Sequence, residues 1–197
     1  MNNFDIDSVL QSMVVLVDTR EQPSARAEKR YQGFGVPYQR TTLNYGDYSY
    51  NAKLPDGTYI YSVEKDNKAI RPCVVIERKM SLEELSGCFT LKADIESKQL
   101  KVRNRFEKEF LRAKENGAKI YLLVENASWE KLITGKYDTK FNPTAFFASM
   151  TAWIARYNIV PIFCKQETSG KMIKEILYRE LKERLERGDY DYGICEN

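Results

Sequence analysis

Four short apolar runs constrain this chain more than anything else in it: "MVVLVD" (13–18), "CVVI" (73–76), "AKIYLLVE" (118–125) and "IVPIFC" (159–164). Each is a largely apolar run, "CVVI" the most β-branched, so each predicts a buried strand rather than a half-exposed one. Helical stretches separate the later runs. Ser81 followed by Glu84 predicts an N-cap and capping box over 81–89. Residues 92–116 place Leu100, Phe106, Phe110 and Ala113 along one side and stop at Gly117. "ASWEKLITG", "NPTAFFASMTAWIARYN" and residues 168–188 complete the helices. The aromatics of the second are expected in the core, with part of it a dimer surface. The mixed signs of the last predict a solvated or dimer-facing helix rather than a DNA reader.

The first third is less regular. After 13–18 come a loop and a short polar helix closed by Gly33 and Gly35, then a strand over 36–43 and a turn at Gly46. The Pro55-Asp56-Gly57 turn predicts a hairpin from 47–53 and 57–64. Strands alternating with helices, interrupted by a hairpin, predict an α/β fold with a central mixed β-sheet flanked by helices. A single domain is expected across 1–197, with its core at about 13–180, the inserted hairpin at about 48–66 and a loose tail at about 189–197.

Composition removes several kinds of chemistry. The 197 residues include no histidine, which excludes Ser-His-Asp and Cys-His catalysis and histidine-based zinc hydrolysis. Hydrolysis in such a chain must run on carboxylates, lysine, tyrosine or a hard metal ion. The four cysteines, Cys73, Cys88, Cys164 and Cys195, form no CxxC pair, and buried reduced thiols are expected. No apolar run is long enough to span a membrane, and the acidic start lacks a basic leader region. An intracellular, cytoplasmic protein is therefore expected, nucleoid-associated if prokaryotic or phage. "ITGKYD" and "TSGKMI" lack the glycine spacing and hydroxyl of a phosphate-binding loop, so no nucleotide cofactor is expected.

Beyond "CVVI" stand Glu77, Arg78 and Lys79. Side chains at i and i+2 of a strand share a face, so Glu77 and Lys79 should point together and Arg78 away. Such a pair is either a plain ion pair or half of a metal-dependent site. Asp18, Glu21 and Asp47 are further acids, three of the set falling at or just past strand ends, where open α/β sheets place ligands.

Taken together and in order, "VVLVDTRE", "GDY" and "IERK" resemble the XPF-type structure-specific endonucleases, whose core is restriction-endonuclease-like, of the PD-(D/E)xK kind. The family motif of G-D, then E-R-K and an acid four residues later, falls on Gly46-Asp47, Glu77-Arg78-Lys79 and Glu83. Its D-x-R-E context falls on Asp18-Thr19-Arg20-Glu21. The gap from Asp47 to Glu77 is long for that family, Glu83 stands where an Asp is usual, and the tandem helix-hairpin-helix module has no counterpart here.

The resemblance implies a metal-dependent DNA endonuclease acting at branched, flap or fork structures. A catalytically inactive DNA-binding or partner subunit, or a restriction or junction-resolving nuclease with the same chemistry, is the alternative. It further implies Mg²⁺, with Mn²⁺ able to substitute, held by Asp47, Glu77 and the Arg78 carbonyl, with Asp18 ligating directly or through water. Asp18, Asp47, Glu77 and Lys79 would be the catalytic set, Lys79 orienting the attacking water. Glu21, Arg78 and Glu83 would support them, Arg78 bracing Glu83 or Glu21. For DNA contact the expected residues are Arg20, Lys92, Lys98, Lys101, Arg103 and Arg105, a basic stripe suited to a phosphate backbone. Arg20 is either such a contact or a structural ion pair. A homodimer or heterodimer is expected, and no membrane partner.

Overall fold

A computed structural model describes residues 1–62, 69–89 and 105–190. Six strands follow the order β2-β1-β3-β4-β5-β6, with parallel and antiparallel neighbours. They are β1 (Val14–Asp18), β2 (Tyr38–Thr41), β3 (Tyr48–Asn51), β4 (Val74–Lys79), β5 (Lys119–Glu125) and β6 (Ile159–Cys164). The sheet is mixed and the class α/β, as the apolar runs imply. The chain forms two compact units, Met1–Ile76 with Glu167–Asn197, and Glu77–Gln166.

In the first unit β1 lies parallel to β2 and antiparallel to β3, and Tyr48 of β3 pairs with Ile76 of β4. Helix α1 (Asn3–Gln11) precedes the sheet, its first turn capped by Asn2, whose Oδ1 accepts from Asp5 N at 2.9 Å. Helix α2 (Ala25–Gln32) and helix α7 (Ser169–Arg187) pack together. They approach so closely that a Cβ on Gly170 would collide with the Arg30 carbonyl oxygen. The mixed charges of α7 hide a second pattern. Ile173, Leu177, Leu181 and Leu185 recur every four residues and are all buried. That stripe faces the unit's own core, which corrects the expectation of a wholly solvated or dimer-facing helix. Each such side chain contributes about 1.5–3 kcal/mol by leaving water.

The expected hairpin forms only in part. Among the described residues past β3, the return leg makes one isolated bridge, Lys53 with Tyr59, around a turn in which Asp56 Oδ1 accepts from Thr58 N at 2.8 Å. The physical reason is Asn51. Its buried carboxamide takes both main-chain groups of Tyr61, Nδ2 donating to the carbonyl at 2.9 Å and Oδ1 accepting the N–H at 3.0 Å. An amide side chain thereby does what a second strand would do, and the ladder stops. Residues 63–68 of that insertion lie outside the described residues.

Three tyrosine hydroxyls surround the half-buried Cys73 thiol. Tyr61 lies 2.9 Å from Sγ, Tyr50 3.3 Å and Tyr190 3.5 Å, and Tyr50 and Tyr190 are 2.6 Å apart. Tyr190 belongs to the segment expected to be loose from residue 189, yet it is buried. Burial raises the hydroxyl pKa of Tyr50, Tyr61 and Tyr190 well above the ordinary tyrosine value, and pushes Tyr45 up to about 12. The fold thus favours the neutral phenols. Their contribution is intact below about pH 10, where unfolded tyrosine ionises, and is lost as pH rises toward and beyond 12. Phenolate absorbance is expected to show these tyrosines ionising late, together with loss of circular dichroism. Titration of all thirteen tyrosines near the free value in a folded chain would contradict it.

In the second unit β5 and β6 pair in parallel from Ile120–Ile159 to Glu125–Cys164. Helix α3 (Leu82–Gly87) starts at the expected N-cap, with Ser81 Oγ accepting from Glu84 N at 3.4 Å. Helix α4 is described over Arg105–Glu115, and the left-handed Gly117 (φ +67°) follows it. Helix α5 (Trp129–Thr134) and helix α6 (Pro143–Tyr157) complete the unit. Its core is aromatic. The rings of Phe106 and Phe110 of α4 lie 4.5 Å apart, tilted by 53°, and meet Trp153 of α6 at 5.2 and 5.5 Å, and Phe89 lies 4.0 Å from the same indole. The buried face of α6 (Phe146, Met150, Trp153, Tyr157) is the core face its aromatics imply. Cys73, Cys88 and Cys164 are free thiols and only half-buried.

Candidate active-site residues

In the first unit the acids sit where the strands end. Asp18 closes β1 and is 1% exposed. Its Oδ1 accepts from Arg20 N at 2.8 Å and Arg20 Nε at 2.6 Å, and its Oδ2 from Leu43 N at 2.7 Å and Arg20 Nη2 at 3.3 Å. Four donors occupy the roughly four lone-pair positions of a carboxylate. The arrangement ties the end of β1 to the segment after β2. For Arg20, whose role the sequence leaves between phosphate contact and ion pair, the geometry gives the ion pair, with a further bond to Leu43 O at 3.1 Å.

Glu21 lies in a three-membered polar group. Its Oε1 accepts from Arg30 Nη1 at 3.0 Å and from the Tyr48 hydroxyl at 2.7 Å, and Arg30 also donates to Tyr48 Oη at 3.0 Å. Arg30 is 4% exposed, so the ion pair is shielded from solvent and salt. Sequence reasoning singled out neither Arg30 nor Tyr48. Both look like ordinary helix and strand residues; the β1–β3 pairing brings Tyr48 to Glu21, and the placement of α2 brings Arg30.

Asp47 is fixed through its backbone. Its N–H donates to Ile76 O at 2.9 Å and its carbonyl accepts from Asp18 N at 2.8 Å. Gly46 makes this possible. Its φ is +72°, and a Cβ there would stand 2.7 Å from Val75 Cβ. The Gly-Asp pair is therefore one structural device, the glycine letting the chain lie against β4 and the aspartate starting β3.

In the second unit, Glu77 and Lys79 do share a face of β4. Lys79 Nζ lies 2.6 Å from Glu77 Oε1, with Glu77 4% exposed. The ammonium is also 3.9 Å from Glu84 Oε1 and 4.5 Å from the centre of the Phe106 ring. Arg78 points the other way. It pairs at 3.5 Å with Glu125, the buried last residue of β5. Glu83 accepts from Asp138 N at 2.9 Å, and hydrogen bonds from Ser81 and Asp138 hold its carboxyl below the usual range. Burial pushes the nearby Cys88 thiol up to about 11, so it stays protonated at neutral pH.

Among the described residues no three acidic or thiol side chains converge as a metal-holding group. Asp47 and Glu77 nevertheless have the hard oxygen chemistry that suits Mg²⁺, which commonly uses only one or two protein carboxylates with water and phosphate oxygens. Asp18, surrounded by four donors, fits poorly as a direct ligand. Lys92, Lys98, Lys101 and Arg103 lie outside the described residues, as does the side chain of Arg105, the first residue of α4.

The ERCC4 domain model matches residues 17–176, from the end of β1 into α7. The chain belongs to the ERCC4 domain family. The XPF-type nuclease domain that its motifs resemble is thus its family, and the solved structures agree in fold. XPF from Aeropyrum pernix superposes with a TM-score of 0.55 at 16% identity, covering 90% of this chain and 69% of that one. A second structure of XPF from Aeropyrum pernix, in complex with DNA, gives a TM-score of 0.53 at 19% identity, over 86% and 65% of the two chains. No curated protein matches the sequence. No described helix is long and apolar enough to cross a membrane.

Proposed function

We propose that this XPF-type domain is a Mg²⁺-dependent endonuclease that hydrolyses phosphodiester bonds in branched, flapped or forked DNA. The observation that carries the reading is the Glu77–Lys79 pair. A surface Glu-x-Lys pair is worth about 0–1 kcal/mol and calls for no special placement. This one is largely buried at the end of a core strand, where desolvating two charges is costly and stability alone is a weak reason for it. Family membership and the structure of XPF from Aeropyrum pernix in complex with DNA support the same reading.

In this proposal Asp47 and Glu77 would hold the ion with the Arg78 carbonyl, and Mn²⁺ would be able to replace Mg²⁺. The ion, when bound, supplies charge that favours hydroxide and offsets the charge growing on phosphorus. Lys79 orients the attacking water and neutralises a phosphoryl oxygen. Water forms a new bond to phosphorus as the ester bond breaks, and the departing oxygen takes up a proton. Asp18, with Arg20 and Leu43 N–H on its oxygens, acts by holding the end of β1 in place. Glu21 does the same for the start of β3 through Tyr48. Lys92, Lys98, Lys101, Arg103 and Arg105 follow the phosphate backbone.

The test is a cleavage panel of end-labelled single strand, duplex, 3′ flap, 5′ flap, fork and four-way junction, in Mg²⁺ and in Mn²⁺. Cutting within a few nucleotides of the branch in either metal, absent with chelator, is the expected result. Binding of DNA without cutting in both metals would move the reading to a non-catalytic DNA-binding subunit. Equal cutting of every substrate would remove the structure preference and leave a plain nuclease.

A further inference from the structure

We infer that Phe106 is a positioning residue, whose ring face holds the Lys79 ammonium in the orientation that the proposed hydrolysis needs. The inference rests on the nuclease reading for its consequence, but the contact itself does not.

Lysine is an awkward group to place. Its charge sits on four rotatable carbons, and a single carboxylate fixes its distance but not its direction. Its surroundings here include Glu77 Oε1 at 2.6 Å, Glu84 Oε1 at 3.9 Å, and the Phe106 ring with its centre 4.5 Å from Nζ. The ring attracts the cation through its negative face, and the attraction grows where water is scarce. It is scarce here, since the Lys79 side chain is 12% exposed and Phe106 8%. Glu84 is a competing partner. It is already committed to the helix start, its Oε2 accepting from Met80 N at 2.7 Å, and its other oxygen is available to draw the ammonium off Glu77.

The ring is itself held. Phe110 lies 4.5 Å and Trp153 5.2 Å from it, and Trp153 is backed in turn by Phe89 and Tyr157. The aromatic core of the second unit thus ends in one ring turned toward the charged tip of β4. A leucine at 106 would fill much of the same volume and keep the apolar contacts, while offering the ammonium no charge distribution to sit against.

Two readouts separate this from a packing role. The first replaces Phe106 with 4-fluoro-, 3,5-difluoro- and 3,4,5-trifluorophenylalanine, which keep the shape and progressively weaken the negative face. On the flap or fork cut best by the wild-type chain, kcat is expected to fall stepwise to roughly a tenth, since a desolvated cation–π contact is worth about that factor. KM, DNA affinity and melting temperature should stay within about twofold or a few degrees, and Phe106→Tyr should restore the rate. A flat kcat series would overturn the positioning role.

The second readout needs no activity. In proton–nitrogen spectra of the side-chain ammonium groups, the Lys79 signal is expected to be shifted upfield by the ring and to return toward the ordinary lysine position in Phe106→Leu. An unshifted Lys79 signal in the wild-type chain would overturn the contact. A shifted signal in a chain that cuts no DNA would overturn the nuclease reading and leave the contact standing. A flat series in an active enzyme would do the reverse.

Discussion

Glu77→Gln is expected to lower DNA cleavage by about a thousandfold or more while the chain stays folded and still binds DNA. Glutamine matches the shape of glutamate, and its side-chain oxygen can still accept from Lys79, now 2.6 Å from Glu77 Oε1. Only the negative charge is removed, and that charge is what a metal ion and a charged phosphoryl group respond to. Stability should fall by about 1–2 kcal/mol, because Lys79 keeps a hydrogen-bond partner but loses its counter-charge. Glu77→Ala would be a poorer test, since it removes the whole carboxylate that stands 2.6 Å from the largely buried ammonium, hydrogen-bond acceptor and charge together. Single-turnover cleavage and fluorescence anisotropy on the same labelled substrate make the measurement, with Asp47→Asn in parallel. Wild-type cutting by Glu77→Gln would sink the assignment. Parallel loss of binding and cutting would make the residue structural.

Gly46→Ala should be the most destabilising single methyl that can be added near the motif. The backbone at φ +72° disfavours any L side chain by about 1–2 kcal/mol. The new Cβ would also lie 2.7 Å from Val75 Cβ, so β4 or the turn must shift, adding about 1–3 kcal/mol. A total loss of about 3 kcal/mol or more, read from urea unfolding, is expected. Gly46→Asn separates the two terms. Asparagine accepts left-handed backbone better than alanine, but the collision is the same, so it should recover less than half of the loss. Cleavage should fall even in the folded fraction, because Asp47 takes its position from bonds to Ile76 and Asp18 on either side. An alanine variant of wild-type stability would show that the turn is held less rigidly than these contacts imply.

Local patterns in the sequence report what neighbouring residues do to each other. Period two put Glu77 and Lys79 on one face of β4, and the short-range hydroxyl signal placed the start of α3 at Ser81. Pairings between distant segments leave no such trace. That Arg78 reaches Glu125, that Leu43 N–H caps Asp18, and that Arg30 and Tyr48 converge on Glu21 each depend on how strands and helices are brought together, which no single stretch encodes. Helix α1 carries a weak signal of its own, because Ile6, Val9 and Leu10, which have helical spacing and are buried, stand among acids and polar residues. The return leg of the hairpin misled for a different reason. Its tyrosine-rich alternation is genuine, but one asparagine side chain replaced the strand that alternation predicts.

The hydroxyl of Tyr190 has a practical bearing beyond its role among the tyrosines. It moors the chain to Tyr50 of β3 at 2.6 Å, two residues past the glycine that ends α7. Any fused tag, reporter or second domain placed after residue 190 therefore departs from a fixed point on the first unit, and linker length should be counted from there. Cutting the chain back to residue 189 would leave the Tyr50 hydroxyl without this partner in a buried setting, so shortened versions are better designed to keep residue 190 than to stop at the helix.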